Sequence, residues 1–86
     1  MMWQLRPGVS WTATEYGGVL LDATSGDYWT LNHTGAAVIA SIVTDGGTDG
    51  VAARLAADFD ADHDDIAGDV SSLVGELEAA RLVVRR

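Results

Sequence analysis

The chain has 86 residues and a mass of 9.0 kDa, and its 13 Asp and Glu against 5 Arg and no Lys give a formal net charge of −8. It contains no cysteine, which removes disulfide frameworks, cysteine-ligated zinc and thiol nucleophiles from consideration. The acidity disfavours nucleic-acid backbones, whose affinity comes from Lys and Arg releasing counterions, and anionic membrane surfaces alike. With 48% hydrophobic and 21% charged residues the composition is that of a folded domain rather than a disordered one. No apolar run reaches the roughly 18 residues of a membrane span, and no basic start leads into a hydrophobic stretch. The expectation is a single cytoplasmic domain over residues 1–86 with no membrane partner and no cofactor.

The first third reads as strands. Val9 to Thr14 alternates apolar and polar residues with period two, the pattern of a half-buried strand. Tyr16-Gly17-Gly18 reads as a turn, Val19 to Ala23 as a second strand, and Thr24 to Asp27 as another short turn. Tyr28-Trp29-Thr30-Leu31 follows as a third strand, with residue types that suit a pleated surface. Connections this short predict an antiparallel meander. Trp29 and Leu31 share the face expected to meet the core, and Tyr28 and Thr30 share the other.

The period then changes. Asn32 or Thr34 is placed to cap a helix in which Ala36, Ile39, Ala40 and Val43 fall on one stripe. Asp45-Gly46-Gly47 ends it. Thr48 is the expected cap of a short second helix with Val51, Leu55 and Phe59 facing inward. Asp62, Asp64 and Asp65 open a third helix, expected over 65–81, where the helix dipole favours negative charge. Ile66, Val70, Leu73, Val74 and Leu77 form its apolar seam, and Leu82-Val83-Val84 follows as a tail. Three strands cannot bury their apolar face alone, so helices must cover one side. The predicted fold is α+β and winged-helix-like, a three-stranded antiparallel sheet followed by three helices, βββααα.

Candidate chemistry is sparse. Asp58, Asp60, Asp62 and Asp69 fall at positions one, three, five and twelve of a calcium-loop pattern, but His63 replaces its Gly and Asp69 its Glu. A solvated loop with helix-cap chemistry accounts for these acids better than a metal-dependent enzyme does. His33 and His63 have no recognisable Ser or Cys nucleophile beside them, and the glycines form no phosphate cradle. A winged-helix outline suggests DNA binding, yet the second helix carries only Arg54, and the third sets Asp69, Glu76 and Glu78 against Arg81. A small regulatory protein that binds DNA or a protein partner is the alternative reading.

The remaining candidate surface joins the third strand and third helix. A last meander strand leaves one edge unpaired, a template for an added strand. Asp69, Ser72, Leu73 and Glu76 share a helical stripe beside it. An extended peptide could bond to the strand backbone, place apolar side chains near Val70, Leu73 and Leu77, and pair basic groups with Asp69 and Glu76. From the residues alone this reading and that of a plain core seam with solvated acids both stand.

The run Asp27-Tyr28-Trp29-Thr30-Leu31-Asn32-His33-Thr34-Gly35-Ala36-Ala37 resembles the strand-to-helix signature of PqqD-like proteins. The similarity continues through the Asp45-Gly46-Gly47-Thr48 turn, a short Ala/Leu helix, and a final Leu-rich helix ending at Arg81-Leu82-Val83. The chain looks most like the discrete leader-peptide recognition proteins of lasso-peptide biosynthesis. The resemblance implies a non-catalytic recognition element for ribosomally made, post-translationally modified peptides. It implies that the precursor's leader adds as an antiparallel strand beside the third strand, against the third helix. It also implies two protein partners, a separate cysteine-type leader peptidase and a macrolactam synthetase. On this chain the implied site is Asp27, Tyr28, Trp29, Thr30 and Leu31 on the strand, with Asp69, Val70, Leu73, Glu76 and Leu77 on the helix.

Overall fold

A computed structural model describes residues 2–86. Eight elements follow in chain order: β1 (Trp3–Leu5), β2 (Val9–Thr14), β3 (Gly17–Asp22), β4 (Tyr28–Leu31), α1 (His33–Asp45), α2 (Val51–Phe59), α3 (His63–Ala79) and β5 (Val83–Arg85). The expected core of the architecture is present: β2, β3 and β4 form an antiparallel meander, and three helices follow. Two short strands were not foreseen. β1 and β5 pair antiparallel as a separate ribbon, so the tail at Leu82–Val84 returns to meet the start of the chain. Trp3 is only 6% exposed, and its backbone N–H donates to the Gly46 carbonyl.

The helices cover one face of the meander. Trp11, Leu20 and Trp29 lie directly across from one another on β2, β3 and β4, and opposite residues in a sheet share a face. Leu20 is fully buried, with Trp11, Trp29 and Leu31 packed around the core. Tyr28 and Thr30 point away and are exposed, as the alternation predicted. The first turn is Glu15-Tyr16, and Gly17 and Gly18 belong to β3 rather than to the turn. Gly18 is required there because the Trp11 indole occupies the space a Cβ would take.

The core stripe of α1 is Gly35, Val38, Ile39 and Ile42, not the Ala36–Ile39–Ala40–Val43 stripe expected. Val43 is 56% exposed. The alanines carry too little apolar area to orient the helix, and burying Val38 and Ile42 decides its face. Asn32 caps α1 by accepting the Gly35 N–H at 3.0 Å, and Gly46 ends it in the left-handed region (φ 79°). The N-cap of α2 is Gly50, not Thr48, and it makes no side-chain cap bond. Val51 and Leu55 are buried, whereas Phe59, in the last turn, runs past the core and is 57% exposed. In α3, Asp62 accepts N–H bonds from Asp64 (2.8 Å) and Asp65 (3.3 Å). Two acids in that first turn complete the favourable charge–dipole arrangement.

α3 ends in a Schellman turn. The Leu82 N–H donates to Leu77 and the Arg81 N–H to Glu78, with Arg81 left-handed at φ 61° where Gly is usual. The Arg81 carbonyl accepts from Arg6 Nε, and Arg6 also pairs with Asp22 at the end of β3. Burial works to raise the Asp22 pKa. The Thr24 N–H, the hydrogen bond and charge of Arg6, and the Ser25 N–H outweigh it and hold the carboxyl below its usual value.

Candidate peptide-binding groove

β4 is an edge strand: among the described residues it pairs with β3 alone. Two hydrogen bonds fix which of its backbone groups are free. The Asp22 N–H donates to the Asp27 carbonyl, and the Ala23 N–H donates to the Gly8 carbonyl. Backbone groups alternate sides along a strand. Asp22, Leu20 and Gly18 therefore address β4, while Leu21, Val19 and Gly17 address β2. In the register Leu20↔Trp29 and Gly18↔Leu31, the groups of Trp29 and Leu31 are spent on β3. Those of Tyr28 and Thr30 point outward along the open edge.

Across from this edge stands α3, and between them runs a groove of about 680 Å³. Its floor is buried Gly35, Leu77 and Leu82, together with half-buried Leu31. Thr30 and Trp29 form the strand wall, while Leu73, Glu76 and exposed Ala80 form the helix wall. Asn32 completes the lining. Glu76 is the one charged residue lining the groove. Gly35 brings α1 against β4: a Cβ there would lie 3.0 Å from the Leu31 Cβ.

The structure brings Trp29, Thr30, Leu31, Leu73, Glu76 and Leu77 together in this groove. Asp27 and Tyr28 sit at the start of the strand outside its lining. Asp27 turns its carbonyl toward β3 and bonds its N–H to Ser25 Oγ, so its backbone is already occupied. Asp69 is exposed, one turn beyond the groove on the Leu73–Glu76–Ala80 stripe.

Val70 does not line this groove. It is 6% exposed and lines a second, smaller cleft of about 310 Å³ with Trp3, Thr48, Ser71, Val74, Gly75, Glu78 and Arg85. Val70 and Leu77 share a helical stripe but lie about 10 Å apart along the axis. Leu77 falls opposite β4, and Val70 falls beside Trp3 and Thr48. Asn32, Gly35, Ala80 and Leu82 line the groove without having been foreseen. Ala80 continues the Leu73–Glu76 spacing. Asn32 and Gly35 stood in the strand-to-helix run, Asn32 being read as a cap candidate and Gly35 only as part of the run.

Among the described residues no three His, Asp or Glu side chains converge as a metal site would require. Asp58 and Asp60 lie at the end of α2, Asp62 is engaged as a cap, and Asp69 is on α3. No helix among the described residues is long and apolar enough to cross a membrane.

The family model for coenzyme PQQ synthesis protein D (PqqD) matches residues 17–83, from β3 through the first residue of β5. This chain belongs to the PqqD family. Among solved structures, the PqqD-family fold seen here is similar to a lasso peptide synthetase B1 complexed with its leader peptide. That match has a TM-score of 0.86 at 32% identity and covers 98% of this chain and 99% of that one. It is also similar in fold to TbiB1 in complex with the TbiA(beta) leader peptide, with a TM-score of 0.77 at 18% identity and 93% of each chain covered. No curated protein gives a significant match.

Proposed function

We propose that this PqqD-family chain acts as one leader-recognition domain, a non-catalytic cytoplasmic adaptor for a ribosomally made precursor of the lasso-peptide class. It binds the precursor's leader as an added strand along β4, against α3, and presents it to a separate cysteine-type leader peptidase and a macrolactam synthetase. The observation that carries this reading is the open β4 edge facing α3 across an apolar groove. Its support from outside the chain is the 32% identical relative solved with a leader peptide.

The energetics suit such a role. Two outward N–H and two outward C=O groups at Tyr28 and Thr30 contribute about 0.5–1.5 kcal/mol per hydrogen bond. Ordering a flexible leader costs about 2–5 kcal/mol or more, which cancels most of that gain. Apolar side chains buried on Leu73, Leu77, Leu31 and Leu82 then set the affinity, at ~1.5–3 kcal/mol each. The expected dissociation constants run from nanomolar to low micromolar. Backbone bonds supply capture, and the groove supplies selectivity.

The test is a titration of a labelled leader peptide from a lasso-peptide precursor. Saturable binding weakened by Leu73→Asp supports the proposal. Absence of binding at tens of micromolar, or salt-dependent binding of duplex DNA instead, rejects it.

A further inference from the structure

We propose that Arg6 is a positioning residue for leader binding: from a rigid turn outside the groove, its guanidinium ties the end of α3 to the β3–β4 hairpin and so sets the spacing of the two walls. This rests on the proposed function and adds to it a residue that touches no peptide. The backbone that carries Arg6 is fixed on every side. Arg6-Pro7-Gly8-Val9 is a β-turn closed by the Val9 N–H on the Arg6 carbonyl at 2.9 Å, with Gly8 left-handed at φ 93°. Proline in second place and a left-handed glycine in third are the type II pattern, and the proline ring locks its own φ. Pro7 is the one proline of the chain. The Ala23 N–H donates to the Gly8 carbonyl at 2.9 Å, and the Arg6 N–H donates to the Leu82 carbonyl at 3.0 Å. The turn is thereby pinned to the meander on one side and to the exit of α3 on the other.

The side chain completes the bridge. Arg6 Nε donates to the Arg81 carbonyl at 2.6 Å, and a terminal nitrogen pairs with Asp22. Arg81 stands between Ala80 and Leu82, which line the groove at its helix wall and floor. Asp22 is 8% exposed and closes β3. Its second carboxylate oxygen accepts the Thr24 N–H at 2.9 Å. Its backbone accepts from Gly26 and donates to Asp27, so it fixes the turn that leads into β4. Among the described residues no other side-chain hydrogen bond links α3 or its closing turn to the meander. A guanidinium suits this place because its planar fork makes both charge-assisted bonds at once and loses little freedom in doing so. Surface ion pairs ordinarily add little. This pair is largely shielded, with side chains 28% and 11% exposed, and both partners are braced by further bonds.

The experiment titrates a labelled lasso-precursor leader peptide into the wild type, Arg6→Gln, Arg6→Lys, Pro7→Ala and Arg85→Gln, with urea unfolding of each in the same buffer. Where a variant is at least about 95% folded, lost stability by itself moves the apparent affinity by only about 5%. Arg6→Gln should weaken leader binding about tenfold. Arg6→Lys keeps a charge beside Asp22 but puts a methylene where Nε stood, so it should not rescue the affinity. Pro7→Ala keeps the guanidinium and frees its turn, and should cost about threefold. Should Arg6→Gln fail to fold, this milder variant carries the test. Arg85→Gln breaks the Arg85–Glu78 bond on the other flank of α3 and should leave affinity within about twofold. Amide exchange at Leu82, whose N–H donates to Leu77, should quicken about tenfold in Arg6→Gln while that at Leu73 stays as it is. Wild-type affinity in folded Arg6→Gln or Arg6→Lys overturns the proposal and leaves peptide binding intact. Equal losses in Arg6→Gln and Arg85→Gln overturn it as well, since they would report stability alone. A wild type that binds no leader removes the proposed function and this role with it, whatever the exchange at Leu82 shows.

Discussion

Along one flank α3 shows Leu73, Glu76 and Ala80 to β4 across an open groove; along the other it shows Ser71, Val74, Gly75 and Glu78 to Trp3 and Arg85. The second flank is partly roofed by the β1–β5 ribbon, over buried Val70 and Val74, and keeps a smaller cleft with exposed Ser71 and Gly75. There Arg85 lies 5.4 Å over the Trp3 ring and bonds Glu78 at 3.1 Å. The first has no such roof. Both flanks come from one run of apolar residues spaced three and four apart, so spacing alone does not separate a residue that holds the fold from one that meets a ligand. What separates them is whether another part of the same chain arrives to cover it.

Substitutions on the two flanks should break in different ways. The largest effects belong to the roofed side. Trp3→Ala should cost about 3–5 kcal/mol of stability, read by thermal or urea unfolding, because the ribbon loses its main buried side chain. Val70→Asp should likewise cost more than ~3 kcal/mol by placing an unpaired carboxylate in the core. Loss of peptide binding in that variant would report unfolding, not a contact. Next comes Leu73→Asp on the open side. It should lower affinity by about tenfold or more while changing stability by less than ~1.5 kcal/mol, since Leu73 is only half-buried. Comparable stability loss in Leu73→Asp and Val70→Asp would erase the distinction between the flanks.

Smaller effects test the joints that hold the two flanks apart. The Asp22 pKa is depressed in the folded state, so protonation favours the unfolded chain. Its contribution is present above the unfolded value, about 4, and is lost as pH falls through the lower folded value. The urea midpoint should therefore drop below pH 4 in the wild type, and the Asp22→Asn variant should show a shallower drop. The smallest effect is a gain. Arg81→Gly relieves a left-handed residue at the end of α3 and should stabilise by about 0.5–1 kcal/mol, without moving peptide affinity.

Much of the groove was legible in the chain because the cues were local. The two-residue alternation from Tyr28 to Leu31 set which side chains face inward. Short connections implied the meander and its open edge. Asp62, Asp64 and Asp65 announced the start of α3. The errors share one cause. Val43 and Phe59 matched a helical period but lay off or beyond the core. Leu82 looked like a tail residue and became the groove floor.

The sequence by itself determined the order of the three meander strands and three helices, the inward and outward faces of β4, and the acidic start of α3, because each depends on residues only a few positions apart. Tertiary structure decided the rest. β1 and β5 are too short to persist alone and form only when the two ends of the chain meet. That meeting partly covers one flank of α3, burying Val70 and Val74, leaves the other open to β4, and turns an ordinary apolar helix face into one side that holds the fold and one side able to hold a peptide.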